Sequence, residues 1–443
     1  MSDTNDSENT ETDFPSSDDQ QHDASHEMPP GQEPHFVTTE RGRVVSMAGL
    51  AERIVEEFNI EFDEASQALI EADSEAKRRS LVREVADYVM GVESVQLSLS
   101  EKARILQYAY SEIFGYGPLD LLFADPKVTT ISLENRQGIA VRFGPGAELV
   151  PQNNMFEDWH HVRRTIKRLL KDAGAEIRSD IPIVEAGLRI NGRAVNVNVV
   201  SPPFSADVMA DIRVHPSGVI PLTAWVAHGM MNEVAADFLR RLAQSAYGFA
   251  IVGETESGKT ALMSTMLSEA NLGSELHSVE WAGELLLPEG AHGSKVAWPI
   301  GDNPGITFAQ RIAEALESQP GAIVLDEVRA DEAEAVAPLL SYEHNLRQMW
   351  VVRGASDSKR IRSGLSMLAR RADSAMSEAM VTRLYERLPF VIVLKRRRDR
   401  IELVEIAEWQ PSADESGYYD YVPLVAKGWE GLERTEKELC NQL

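Results

Sequence analysis

An α/β fold is expected for this chain, with a mainly parallel sheet flanked by helices, preceded by a smaller α+β domain and N-terminal helices. Three observations point to it. Solid apolar runs at Phe249–Val252, Ala322–Leu325, Met349–Val352 and Phe390–Leu394 alternate with helical stretches, the pattern of strands buried on both faces. Short strand-like segments interrupted by one helix precede them. The 443 residues, 43% of them apolar, supply chain for two or three separate cores.

The elements follow in order. Residues 1–40 hold eleven acidic residues and no Lys or Arg, too little apolar surface to offset the entropy of ordering, so 1–44 is expected as a disordered acidic tail. From Val45 to about Met90, apolar residues recur at helical spacing (Leu50, Ile54, Phe58, then Ala68, Leu69, Leu81, Val85, Val89), predicting two amphipathic helices in a 45–95 segment. A third helix, about Glu101–Phe114, stops at Gly115-Tyr116-Gly117-Pro118. Strands are expected at Thr129–Leu133, Ile139–Phe143, Ile181–Ala186, Val195–Val200 and Val208–Val214, with one helix at Trp159–Ala173. Together these make an α+β domain over 96–214. His215-Pro216-Ser217-Gly218 opens a linker assigned to 215–228. The α/β domain then spans 229–412, and a short, polar, poorly patterned C-terminal tail spans 413–443.

Charge and composition exclude several functions. There are 44 Lys and Arg against 70 Asp and Glu, a net charge of -26, and a general nucleic-acid binder needs the opposite sign. Lysine is scarce beside arginine, which fits either a salty cytoplasm or a GC-rich genome. The one cysteine, Cys440, allows neither an internal disulfide nor a cysteine-rich metal site. No apolar run approaches the roughly 18–20 residues of a membrane span, and no basic-then-apolar leader opens the chain. A soluble, cytoplasmic protein is expected.

The most informative segment is Gly253-Glu254-Thr255-Glu256-Ser257-Gly258-Lys259-Thr260. It is a full G-x-x-x-x-G-K-T phosphate loop between an apolar strand and the helical run Ala261–Leu267. Its glycines let backbone N–H groups converge on phosphate oxygens, and the following helix adds its positive end. Lys259 is expected to reach the β and γ phosphates of ATP and Thr260 to ligate Mg²⁺. About 65 residues on, Ala322–Leu325 ends in Asp326 and Glu327. A carboxylate at such a strand tip can orient the metal and polarise the attacking water, so Glu327 is assigned to water and Asp326 to an outer-shell metal role. The other reading of this pair is an acidic helix start, since Asp331 and Glu332 follow.

These residues, in this order, resemble the secretion-ATPase superfamily of type II and type IV secretion and type IV pili, over about residues 45–410, and within it the tight-adherence (Tad) pilus branch. Phe114-Gly115-Tyr116-Gly117-Pro118-Leu119 is similar to that branch's glycine-proline signature. Asn191-Gly192-Arg193 and Asp211-Ile212-Arg213 sit where the family brings arginines to nucleotide, in cis or from a neighbouring subunit. Glu327-Val328-Arg329 with Glu332 resembles the Walker B stretch, and Val279-Glu280 with Glu284-Leu285 the acidic box that places metal and water. The resemblance implies a RecA-like ATPase core, with catalytic roles for Glu327, Lys259, Arg213, Arg193 and Glu280. It also implies a hexameric ring, homomeric or mixed with a paralogue. Such a ring hydrolyses ATP with Mg²⁺, closes its domains about His215–Gly218, and pushes on an inner-membrane platform protein from the cytoplasmic face, without nucleic acid.

The chain departs from the family at several points. Trp281 stands where the acidic box usually has aspartate. The His box reads Glu343-His344-Asn345-Leu346-Arg347, with Arg353 at the second histidine. Glu317–Gly321 replaces an arginine-rich stretch, and Glu254 and Glu256 occupy loop positions that favour small, uncharged residues. Unit charges 4 Å apart repel by about 4 kcal/mol at an effective dielectric near 20, so two loop glutamates would weaken ATP binding unless they point into solvent. A nucleotide-binding subunit with weak or conditional hydrolysis is therefore expected, either a motor in its own right or a regulatory paralogue beside an active partner. Arg193 reads equally as a surface turn residue. His344 and Arg353 read as solvent-facing side chains or as phosphate contacts, and Lys395–Arg398 as a solvated hairpin tip.

Overall fold

The computed structural model describes residues 36–38, 44–63, 65–134, 138–153, 155–156, 158–398, 400–412, 418–427 and 432–443. The chain divides into two units, residues 1–106 and 107–443.

In the first unit, helices Met47–Glu61 and Glu75–Glu93 each start on a serine, Ser46 or Ser74, whose Oγ accepts a backbone N–H of the first turn. The expected stripe Leu50, Ile54 and Phe58 is buried, as are Val82, Val85 and Val89, and the two helices pack together. A short helix, Gln67–Glu71, lies between them in sequence. The acidic tail expected at 1–44 falls mostly outside the described residues, although Phe36–Thr38 pairs antiparallel with Val44–Ser46.

The second unit carries two sheets. The smaller has six antiparallel strands in the order Leu149–Gln152, Gly138–Phe143, Val128–Glu134, Met209–Val214, Arg193–Val200, Ile183–Ile190. Helix Trp159–Asp172, capped by Asp158, buries Val162, Ile166, Leu169 and Leu170 in the same core as this sheet. Its Arg168 donates to the carbonyl of Gly115 (2.5 Å), fixing the glycine-proline turn in which Gly117 adopts a left-handed φ of 57°.

The larger sheet has nine strands in the order His292–Lys295, Leu276–Glu280, Ala322–Val328, Arg347–Arg353, Phe249–Gly253, Phe390–Arg396, Ile401–Pro411, Tyr419–Lys427, Leu432–Arg434. The first six run parallel and the rest antiparallel. All four apolar runs expected as central strands are here, each buried on both faces between helices. This is the expected RecA-like α/β core behind a smaller α+β domain. No helix among the described residues is long and apolar enough to cross a membrane.

Two segments differ from expectation. The 215–228 stretch is not all linker: Leu222–Ala227 is a helix whose Trp225 is fully buried. Its Nε1 donates to Thr265 (3.1 Å) on the helix after the phosphate loop. The 413–443 stretch contributes two sheet strands rather than a tail. In Tyr419–Lys427 only Leu424 and Val425 are buried, so its order comes from pairing with the long strand Ile401–Pro411 rather than from its own pattern. Fully buried Glu408 on that strand accepts the backbone N–H groups of Cys440 and Asn441.

Candidate functional site

The phosphate loop joins strand Phe249–Gly253 to helix Lys259–Ala270. Gly253 tolerates no side chain: a Cβ there would lie 2.6 Å from the carbonyl oxygen of Leu394. Gly258 begins the helix at a φ of 85°, where a Cβ would meet Ile401 at 3.2 Å and the ring edge of Trp225 at 3.4 Å. Glu256 also adopts a left-handed φ, 60°, a conformation costing roughly 1–2 kcal/mol for a residue with a Cβ. Glu254 and Thr255 are exposed and Ser257 is buried.

Lys259 is 5% exposed. Its Nζ donates to the Glu254 carbonyl (2.8 Å) and pairs with Glu327 (3.0 Å). Glu327 also accepts from Arg353 Nε (2.7 Å). The ladder between Ala322–Val328 and Arg347–Arg353 is interrupted from Leu325 to Val328, whereas on the other side Asp326 remains paired with Glu280. The Thr260 hydroxyl lies 3.2 Å from Asp326 and 3.5 Å from Glu284.

This floor carries concentrated negative charge. Burial, then the neighbouring carboxylates Glu284, Glu280 and Glu327, hold the Asp326 carboxyl well above its ordinary range. Glu280, one step behind, is pushed up to about 7, chiefly by burial, while it accepts from Ser278 Oγ (2.7 Å) and the Leu285 N–H (2.8 Å). Glu284 is held low: burial opposes this, but His215 (3.2 Å), Arg213 and Asn196 outweigh it. Oxygen donors beside crowded carboxylates are of the kind a hard divalent cation such as Mg²⁺ takes, and the Thr260 hydroxyl and the Asp326 carboxyl are the pair that could serve one here.

The roof of the cleft is a single row across the six-stranded sheet. Arg142 pairs with Thr130, Thr130 with Arg213, Arg213 with Asn196, and Asn196 with Gly187. Thr130, Arg142 and Arg213 line the cleft, and Asn196 donates to Glu185 (2.9 Å) and to Glu284. A Cβ on Gly187 would clash with the Ala282 carbonyl oxygen at 1.7 Å, so the sheet and the core meet backbone to backbone there. Burial works to lower the pKa of Arg213, but the carboxylates of Glu284, Asp211, Glu185 and Glu327 raise it.

Of the residues singled out from sequence, Glu256, Ser257, Gly258, Lys259, Thr260, Arg213, Asp326 and Glu327 line one cleft. Arg193 does not reach it. The residue is 7% exposed, and its guanidinium donates to the carbonyls of His215 (2.9 Å), Asp125 (2.7 Å) and Val128 (2.6 Å). Within this chain Arg193 pins the end of the sheet through these three carbonyls and does not line the cleft where the catalytic role was expected. Glu280 also stays off the cleft surface. His344 is exposed, with its ring against Tyr342. Trp281, the replacement for an aspartate, stacks on Phe308 (5.5 Å), holds the Arg329 guanidinium over its face (4.2 Å) and donates to the Glu327 carbonyl (3.1 Å). It supports the strand tip rather than ligating metal.

Arg142, Thr130 and Arg396 were missed from sequence. All three bond the Glu256 carboxylate, Thr130 at 2.7 Å. Arg396 belongs to the basic run read as a hairpin tip. The hairpin is present, but this arginine turns inward to the loop. The signal for the other two was register: Arg213 carries its cross-strand neighbours to the same face.

Residues 157–339 match the family model described as type II/IV secretion system protein. A Mycobacterium tuberculosis protein named for conjugal transfer is 29% identical over 248 residues, 54% of this chain and 69% of that one. The type IV secretion system protein VirB11 of Brucella suis is 24% identical over 251 residues, 51% and 69% of the two chains. Among solved structures, the VirB11 ATPase of Brucella suis aligns with 66% of this chain and 95% of its own at 19% identity and a TM-score of 0.33. The Legionella pneumophila ATPase DotB aligns with 66% and 80% at 13% identity and a TM-score of 0.45. The sequence matches relate the chain to the type II/IV secretion system proteins.

Proposed function

We propose that this chain, a relative of the type II/IV secretion system proteins through residues 157–339, is the ATP-hydrolysing motor subunit of such a machine. The observation that carries the reading is Lys259 poised between the phosphate loop and Glu327, beneath the arginine row of the smaller sheet. The loop N–H groups and Lys259 bind the phosphates. Thr260 and Asp326 would hold Mg²⁺, which supplies charge neutralisation to the triphosphate. Glu327 orients water toward the γ-phosphorus and takes its proton at a carboxylate oxygen, the bond to the leaving ADP oxygen breaking as the new one forms. Arg213 stabilises the charge that develops on the transferring group, a contact of the kind worth about 10³–10⁵ in rate. A steady-state ATPase measurement tests this: Glu327→Gln is expected to abolish turnover with binding retained, and Lys259→Ala to abolish both. Turnover equal to wild type in Glu327→Gln overturns the assignment.

The finer reading is a Tad-like pilus motor with conditional turnover, acting as a hexamer at the cytoplasmic face of the inner membrane against platform proteins. Conditional turnover is favoured by Glu327, which is held by both Lys259 and Arg353 and must be released before it can serve water. Of the affinity cost expected from the loop glutamates, the part due to Glu254 is relieved by its exposure to solvent, while Glu256 is ion-paired with Arg142 and Arg396. A turnover rate that rises several-fold on adding platform protein supports this reading. A high rate from the isolated chain sinks it in favour of an unconditional motor.

A further inference from the structure

We infer that Glu256 is an internal stand-in for phosphate that sets how strongly the site prefers a triphosphate over a diphosphate. The inference rests on the nucleotide-binding reading above and adds to it a specificity-determining residue.

Glu256 sits inside the phosphate loop, two residues before Gly258, in a backbone conformation that suits glycine. The placement is held by its side chain. One carboxylate oxygen accepts from the Thr130 hydroxyl (2.7 Å), and the other accepts from both Arg142 and Arg396. Arg142 is 9% exposed as a side chain and Glu256 17%, so the cluster is largely sheltered from solvent. Burial works against the charged carboxylate, but the Thr130 bond and the two arginines hold its pKa below the ordinary range.

An anion gripped by two guanidiniums and a hydroxyl is the arrangement a phosphoryl group would receive. These donors come from three places: Thr130 and Arg142 from adjacent strands of the smaller sheet, and Arg396 from the end of a core strand beside the loop. Of the charged donors close to the loop, Lys259 and Arg353 are committed to Glu327, and Arg142 and Arg396 to Glu256. A terminal phosphate entering the cleft competes with the Glu256 carboxylate for Arg142 and Arg396. A diphosphate, lacking that group, leaves the pair undisturbed. The carboxylate thus subtracts binding energy from triphosphate selectively, and it keeps the smaller sheet docked on the loop whenever no triphosphate is present.

The test is calorimetric titration of the full chain with AMP-PNP and with ADP, each with Mg²⁺. Glu256→Gln keeps the side chain's size and removes its charge. It is expected to tighten AMP-PNP binding by about tenfold, with less than about threefold change for ADP, the scale of one charge-assisted contact regained. Adding Arg142→Ala or Arg396→Ala to Glu256→Gln is expected to erase the selective gain. Thr130→Val, which removes one neutral contact and leaves every charge in place, is expected to shift the ratio in the same direction by a smaller factor. It serves as the readout if the glutamine variant does not fold. An AMP-PNP to ADP affinity ratio within twofold of wild type in the folded variant, or an equal change for both nucleotides, overturns the inference while leaving nucleotide binding intact. Absence of binding to either nucleotide by the wild-type chain overturns the nucleotide-binding reading and this inference with it.

Discussion

Glu280 shows what burial does to one carboxyl group. Its pKa of about 7 lies above the ordinary 4.5, so the protonated form is the one the fold favours. The stabilisation is complete below about pH 4.5 and is lost as pH rises through 7, at a cost of about 3 kcal/mol for a shift of this size. In thermal melts without Mg²⁺ or nucleotide, the wild type is expected to lose more stability than Glu280→Gln between pH 5.5 and pH 8.5. Equal losses in the two proteins would refute the assignment. At the same scale, Trp281 shows why a motif departure need not be a defect. An indole cannot replace a carboxylate on a metal, but it can hold Arg329 by its face and Glu327 by its N–H. Nothing in the sequence around Trp281 announced that exchange.

Helix Leu222–Ala227 illustrates the element scale. It is too short to be read from periodicity and begins at Pro221 in a stretch that looked like linker. Yet Trp225 underlies Gly258 and bonds Thr265, so the phosphate loop rests on it. Trp225→Ala is expected to destabilise the protein by about 3–5 kcal/mol and to weaken nucleotide affinity. A chemical denaturation curve with an unchanged midpoint would contradict this. The legible elements were those whose signal is local. The buried central strands read as unbroken apolar runs, the phosphate loop read from its glycines, and the helices near the start read from their period, although the one expected through Ala68 and Val89 is two, Gln67–Glu71 and Glu75–Glu93. Arg142, Thr130 and Arg396 were illegible because their role arises from strand register and from a hairpin turned inward, which are contacts between residues more than a hundred positions apart. Arg193 was misread for the converse reason: a glycine-arginine turn looks alike whether it faces nucleotide or backbone carbonyls. The strand Tyr419–Lys427 carries too few buried apolar residues to declare itself before its partner is known.

Across the whole molecule, a net charge of -26 repels itself and also repels an incoming nucleotide. Added salt screens exposed charges beyond roughly 10 Å at 0.1 M. The melting temperature is therefore expected to rise as NaCl goes from 20 mM to 500 mM, and the association rate for nucleotide to increase over the lower part of that range. A melting temperature that falls steadily with salt would mean that attractive pairs outweigh the excess charge. The same excess argues that DNA will not stimulate turnover. The smaller sheet meets the core through more than the cleft: Lys295 donates to the Gly187 carbonyl (2.6 Å), and Trp298 donates through its indole N–H to the Glu185 carbonyl (2.5 Å). An indole stationed on that seam is an optical gauge already installed in the chain. It is one of seven tryptophans, and its emission shifts with the wetness of its surroundings, so any parting of the two layers would register under ultraviolet excitation as a change present in the wild type and missing in Trp298→Phe, with no dye attached.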